Sequence, residues 1–187
     1  MDLKDVPGRV FLDSCVVNFI LDFGEQIHEG VPPPGDVKKR VIRDINALYN
    51  IFFVGQRAMW QLAISPHTYQ EIKSTIDPYR RYHLETWFGD LWQYWRDIVH
   101  ENDDLPSFIE AEDIRIRMLG SGVLDVLPDL ADRILVCDAI VYRCELFCTR
   151  DWTTILKHRT ELEQLPIKIV TPTEWWAKIH PYARLWV

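Results

Sequence analysis

Leu130-Ala-Asp132-Arg-Ile-Leu-Val-Cys-Asp138-Ala-Ile-Val-Tyr-Arg-Cys-Glu145-Leu-Phe-Cys-Thr149-Arg150-Asp151 is the stretch on which the fold turns. It reads as a buried helix that opens on a carboxylate, then a short buried strand that closes on another. A third carboxylate, Asp13, ends the apolar run Arg9-Val10-Phe11-Leu12 near the N-terminus. Short apolar runs of this kind suit strands buried on both faces. Gln61 to Ile64, Glu145 to Thr149 and Ile167 to Val170 are the other strand candidates. Strands alternating with helices predict an α/β fold: a parallel sheet of about four to five strands with helices on both faces, a three-layer α/β/α arrangement. In such sheets sites form outside the carboxyl ends of the strands. Asp13 and Asp151 are expected there, and Asp132 opens a helix at the same edge.

Between the strands, local signals mark the helices. Ser14 to Leu21 turns helical. Pro32-Pro33-Pro34, inside Gly30 to Gly35, makes a loop, because three prolines cannot continue a helix. Asp36 is expected to cap a helix whose stripe is Val37, Val41, Ile45, Leu48 and Phe52. Ser65-Pro66 starts a helix carrying Glu71, and Asp77-Pro78 starts another. The latter holds Trp87, Phe88, Leu91, Trp92, Trp95 and Ile98, whose spacing favours the core or an interface between two copies over a stacking platform for bases. Phe108 to Leu119 is a helix stopped by Gly120-Ser121-Gly122, Pro128-Asp129 opens the helix with Asp132, and Thr171-Pro172 starts the last one.

With 187 residues and 48% hydrophobic content, one domain over residues 1–187 is expected. No apolar run reaches the length of a membrane span, and the acidic N-terminus lacks a signal-peptide core, so cytoplasmic residence is the default. The four cysteines form neither a C-x-x-C pair nor a zinc pattern and read as small buried thiols in a reducing compartment. The formal charge of −7 argues against long-range attraction to nucleic acid. Lys38-Lys39-Arg40 with Arg43, Arg80-Arg81, Arg115 with Arg117, and Lys157-His158-Arg159 read as solvated helix faces. Arg150 reads as a surface arginine, with a phosphate contact as the alternative.

Each acid has a plain structural explanation as a cap: Asp13 and Asp151 as helix N-caps, Asp132 as the far member of a capping box opened by Asp129. Glu71 reads equally as an exposed helix residue. Together, however, several acids at one sheet edge repel unless a cation neutralises them. Oxygen ligands without clustered His or Cys select Mg²⁺ or Mn²⁺. Asp138 falls well around the helix from Asp132 and is assigned a supporting place behind the ligands.

The segment from Asp132 to Asp151, an acid, an apolar helix, a strand and then T-x-D, resembles the closing motif of PIN-domain nucleases. Phe11-Leu12-Asp13-Ser14-Cys15 resembles that family's opening strand and first acid. Ile64 to Ile72 is similar to the segment that supplies its glutamate, and Ile167 to Glu174 to its final strand and helix start. The likeness covers about half the chain. It implies a metal-dependent endoribonuclease, with Asp13, Glu71, Asp132 and Asp151 as the catalytic acids that hold Mg²⁺ or Mn²⁺ and Thr149 and Asp138 supporting them. It implies an RNA substrate. It also admits a catalytically silent binding scaffold, a toxin-type module held by an antitoxin-like protein, and a homodimer, with no membrane partner. The chain departs from the family pattern just after Asp151, where Trp152-Thr153-Thr154 stands in place of a further acid, so one ion or two both remain open. Residues 24–58 and 77–122 read as longer helical insertions. Position 15, a cysteine, removes the D-x-D of haloacid-dehalogenase-type phosphotransferases, and no acid pairs with Asp13 as receiver domains require.

Overall fold

Four short strands pair in parallel among the described residues: β1 (Arg9–Leu12), β2 (Gln61–Ala63), β3 (Leu146–Cys148) and β4 (Lys168–Val170). The computed structural model describes residues 6–58, 60–73 and 75–185, without the side chains of Gln70 and Glu71. The strand order is β2-β1-β3-β4. Phe11 stands opposite Ala63 on one side and Phe147 on the other, and the two phenylalanine rings stack at 5.4 Å. Val10, Phe11, Leu12, Phe147 and Cys148 are all wholly buried, as strands covered on both faces must be.

The covering helices are α1 (Ser14–Asp22), α2 (Gly24–His28), α3 (Lys39–Ala58), α4 (His67–Lys73), α5 (Pro78–Glu101), α6 (Phe108–Gly120), α7 (Leu130–Val141) and α8 (Pro172–Ile179). A 3-10 helix over His180–Leu185 follows. In one layer α3 packs on α2 and α8, and α8 lies on β3 and β4. In the other, α5 packs on α4, α4 on α7 and α7 on α6, with α7 against β3. The three-layer α/β/α arrangement is therefore the one that the sequence pattern predicts, with four strands.

Caps set most helix starts. Asp77 accepts from Arg80 N at 2.8 Å with Pro78 in the first turn. Ser65 Oγ accepts from His67 N at 3.1 Å. Thr171 with Glu174, and Ser107 with Glu110, form reciprocal capping boxes. Ser107→Ala is expected to cost about 1 kcal/mol of unfolding free energy. A urea midpoint unchanged from the parent protein would contradict that. Asp36 is not a cap. Val37 N closes a turn on Pro34 O at 3.3 Å, so the chain is still turning at Asp36 and α3 begins only at Lys39. The aromatic helix α5 supplies core: Trp95 is wholly buried and Phe88 nearly so, while Trp87 and Trp92 pack against them half-covered. Among the described residues no helix is long and apolar enough to cross a membrane.

Candidate active site

From β1 the chain crosses to β2 on one side of the sheet and later to β3 on the other. The crevice between the carboxyl ends of β1 and β3 is thus the switch point at which open α/β sheets bind ligands. Asp13 follows β1 there, and Thr149 to Asp151 follow β3. Asp13 N donates to Cys148 O at 3.0 Å, which carries the strand pairing one residue further and fixes the first acid beside β3.

Asp13 occupies the N-cap position of α1, yet its side chain caps nothing. Instead Asp13 Oδ2 accepts from Thr149 Oγ1 at 2.5 Å and from Cys15 Sγ at 2.8 Å. Thr149 Oγ1 in turn accepts from Asp151 N at 2.9 Å. Asp151 Oδ1 accepts from Thr153 N at 2.8 Å and Thr154 N at 3.1 Å. These bonds close a turn, and no helix follows for Asp151 to cap, because residues 152–157 form turns. Its other oxygen, Oδ2, faces the Thr154 hydroxyl, which also lies 2.7 Å from Asp132 Oδ2. The cap of α7 is Asp129, which accepts from Ala131 N at 2.9 Å. Asp132 is thereby free of the capping task and turned to Thr154. Two threonine hydroxyls thus string Asp13, Asp151 and Asp132 into one hydrogen-bonded line.

The Thr154 end of that line is short of a proton. A hydroxyl has a single hydrogen to donate, and two carboxylates face Thr154 Oγ1. A second proton or a cation there would satisfy both carboxylates. The electrostatics agree. Burial, helped by the charges of Asp13, Asp151 and Asp129, lifts Asp132 to about 6. Burial also raises Asp13, with the Asp151 charge adding to it and the Cys15 and Thr149 hydrogen bonds opposing. Burial acts upward on Asp151 too, but the hydrogen bonds from Thr153, Thr154 and Ile155 outweigh it and hold this carboxyl low. Burial, then the Asp13 charge, pushes the Cys15 thiol well up, so it keeps the proton it donates.

The donors suit a hard divalent cation, since they are oxygens with no imidazole beside them. Their spacing is looser than a closed cage: among the described residues no three Asp, Glu, His or Cys groups are placed to ligate one ion together. The Thr154 hydroxyl stands between the Asp132 and Asp151 carboxylates, and the Thr149 hydroxyl between the Asp13 carboxylate and the Asp151 backbone N–H. Glu71 lies on α4, and its side chain falls outside the described residues.

Asp138 has partners of its own. It is wholly buried, accepts from Ser65 Oγ at 2.5 Å, and pairs with Arg115 Nη1 at 2.5 Å. It therefore ties α7 to α6 and to the cap of α4, the helix that carries Glu71, and does not support the other acids by direct contact. Arg115 also pairs with Glu112 and is buried, which corrects its assignment to a solvated face. Arg150 is likewise no surface arginine. Its Nε donates to Asp44 Oδ2 at 2.9 Å, and its guanidinium lies 3.5 Å from the centre of the Phe19 ring. Asp44, buried on α3, also accepts from Thr173 Oγ1 at 2.9 Å and so joins α3 to the ends of β3 and α8. The spacing did point to Asp44: it sits three residues after Val41 and four before Leu48, on the buried stripe, where a charge demands a partner. Cys15 was hidden among the buried thiols. Cys137, Cys144 and Cys148 are buried, but Cys15 is only half-covered and borders an open cleft of about 640 Å³ with Asn18, Phe19, Arg80 and Arg150.

A pH dependence follows. A carboxyl raised on folding binds its proton more tightly in the native state, so it destabilises the fold once pH rises past the unfolded value. Between pH 4 and about 6, therefore, Asp132 makes the metal-free protein lose stability as pH rises. Melting in chelator is expected to give a higher Tm at pH 5 than at pH 7. Asp132→Asn is expected to raise the Tm at pH 7 and flatten the profile. A Tm in the variant that follows the parent profile would refute this. Comparison with family models, with curated proteins and with solved structures finds no match to this chain.

Proposed function

We propose that this protein is a metal-dependent endoribonuclease of the PIN-domain kind, hydrolysing phosphodiester bonds at the crevice between β1 and β3. One observation supports it above all: Asp13, near the N-terminus, meets Asp132 and Asp151 at the switch point in one hydrogen-bonded line. Asp13, Asp132 and Asp151, with Glu71, would hold Mg²⁺ or Mn²⁺ directly or through water, since magnesium commonly keeps several waters. A divalent ion there supplies Lewis acidity toward the phosphoryl oxygens and lowers the pKa of water.

The chain's own residues divide the remaining work. Asp151, kept ionised by its backbone hydrogen bonds, is the steady negative charge of the site. Asp132, near neutral pH in the range where it both takes and releases a proton, is the candidate to accept one from the attacking water. Thr149 and Cys15 hold the Asp13 carboxylate in one orientation. The test is hydrolysis of single-stranded RNA in Mn²⁺ by the parent protein and by Asp13→Asn. Cleavage is expected from the first alone. Equal activity in both would mean a contaminant and would remove the assignment.

A further inference from the structure

Trp152 follows Asp151 directly, and 44% of its surface is exposed. The Arg40 guanidinium, at the start of α3, lies over its ring at 4.8 Å from the centre. Lys38, Lys39 and Arg43 are exposed around Arg40. The Arg150–Asp44 pair and the Thr173–Asp44 bond fix this part of α3 against the carboxyl edge of the sheet. A basic cluster and a part-exposed indole, one face of which carries the Arg40 guanidinium, are thereby held together next to one of the three acids although far apart in sequence.

A cation–π contact at an exposed site stabilises only weakly, so the Arg40–Trp152 contact does not by itself explain the basic cluster around it. Cations in the first turn of a helix oppose its dipole, and α3 has no acid in that turn to offset them. A tryptophan kept for packing would be covered, as Trp95 and Trp175 are. A part-exposed aromatic ring among cations is what single-stranded nucleic acid requires: the unstacked base lies on the ring opposite the Arg40 guanidinium, and lysine and arginine meet the phosphates. The overall charge of −7 leaves such a contact to local clusters, and this one adjoins the acids.

We infer that Trp152, with Arg40, Lys39 and Arg43, forms a docking platform for single-stranded RNA, stacking one base beside the acid cluster and gripping the adjoining phosphates. The choice of RNA rests on the nuclease assignment above, while the platform itself stands on the Arg40–Trp152 geometry. It takes a single strand in preference to a duplex, because a paired base has no free face to offer the indole.

The test measures binding of a fluorescent oligouridylate by anisotropy in chelator, where no metal-dependent cleavage takes place. Trp152→Ala is expected to weaken binding by about 5- to 150-fold, the range for loss of one base–aromatic stack. Trp152→Phe is expected to restore most of it. Lys39→Ala with Arg43→Ala, both at exposed positions that leave the fold intact, is expected to flatten the slope of log K against log salt by about 1.4. Parent protein that fails to bind the strand, or that binds duplex RNA as tightly, overturns the platform. So do Trp152→Ala and the double variant binding like the parent, and in that case active hydrolysis by the parent still leaves the nuclease assignment standing. Conversely, loss of binding in Trp152→Ala with an inactive parent keeps the platform and removes the nuclease.

Discussion

Asp132→Asn is expected to lower Mn²⁺-dependent cleavage of single-stranded RNA by about 10³-fold or more while the protein stays folded. The magnitude is the loss of several kcal/mol of charge stabilisation at a tenfold change per 1.36 kcal/mol, on the order of three powers of ten. The fold should survive because Asp132 caps nothing: α7 starts on Asp129. An asparagine keeps an oxygen for the Thr154 hydroxyl, and its neutrality relieves the crowding that raises the parent carboxyl. Cleavage rates and melting curves on the same preparation decide the matter. A variant that melts early and loses activity in proportion would make Asp132 a structural residue. A variant that cleaves at the parent rate would remove it from the site.

Arg115→Met is expected to be the most damaging single change to stability, costing about 3–5 kcal/mol. Asp138 is wholly buried and Arg115 nearly so. Removing the cation leaves a wholly buried carboxylate with the Ser65 hydroxyl as its hydrogen-bond donor among the described residues. Replacing both partners, Arg115→Met with Asp138→Leu, is expected to recover much of the loss, since a well-packed apolar pair is often no worse than a buried ion pair. Urea denaturation of the two variants tests this. Equal destabilisation by both would mean that packing around α6 and α7, not the unpaired charge, sets the cost. The pair also bears on the site at a distance. It anchors α7, which carries Asp132, and through Ser65 the start of α4, which carries Glu71. Asp138→Asn should therefore cost less cleavage activity than Asp132→Asn and more stability.

Much of this was legible along the chain because the signals are local. Ser65-Pro66, Asp77-Pro78 and Thr171-Pro172 mark helix starts through hydrogen bonds that reach only two or three residues. The strand ends after Leu12, and T-x-D after Cys148, put acids at carboxyl edges for the same reason. Asp36 misled because a good capping residue is also a good turn residue, and the preceding prolines let the turn win.

What the amino-acid sequence determined alone is the alternation of buried strands and helices, and with it a parallel sheet bearing Asp13 and Asp151 at one edge. Backbone hydrogen-bond demand and apolar periodicity settle those features within a few residues. The tertiary structure decided which groups meet. Only the order β2-β1-β3-β4 brings Asp13 beside Thr149 and Asp151. Only the packing of α3 pairs Asp44 with Arg150 and lays Arg40 on Trp152, and only the packing of α6 on α7 buries Arg115 against Asp138. The physical reason is range. A buried charge has to be answered by whatever side chain the fold delivers to it, and that partner stands tens of residues or more away along the chain.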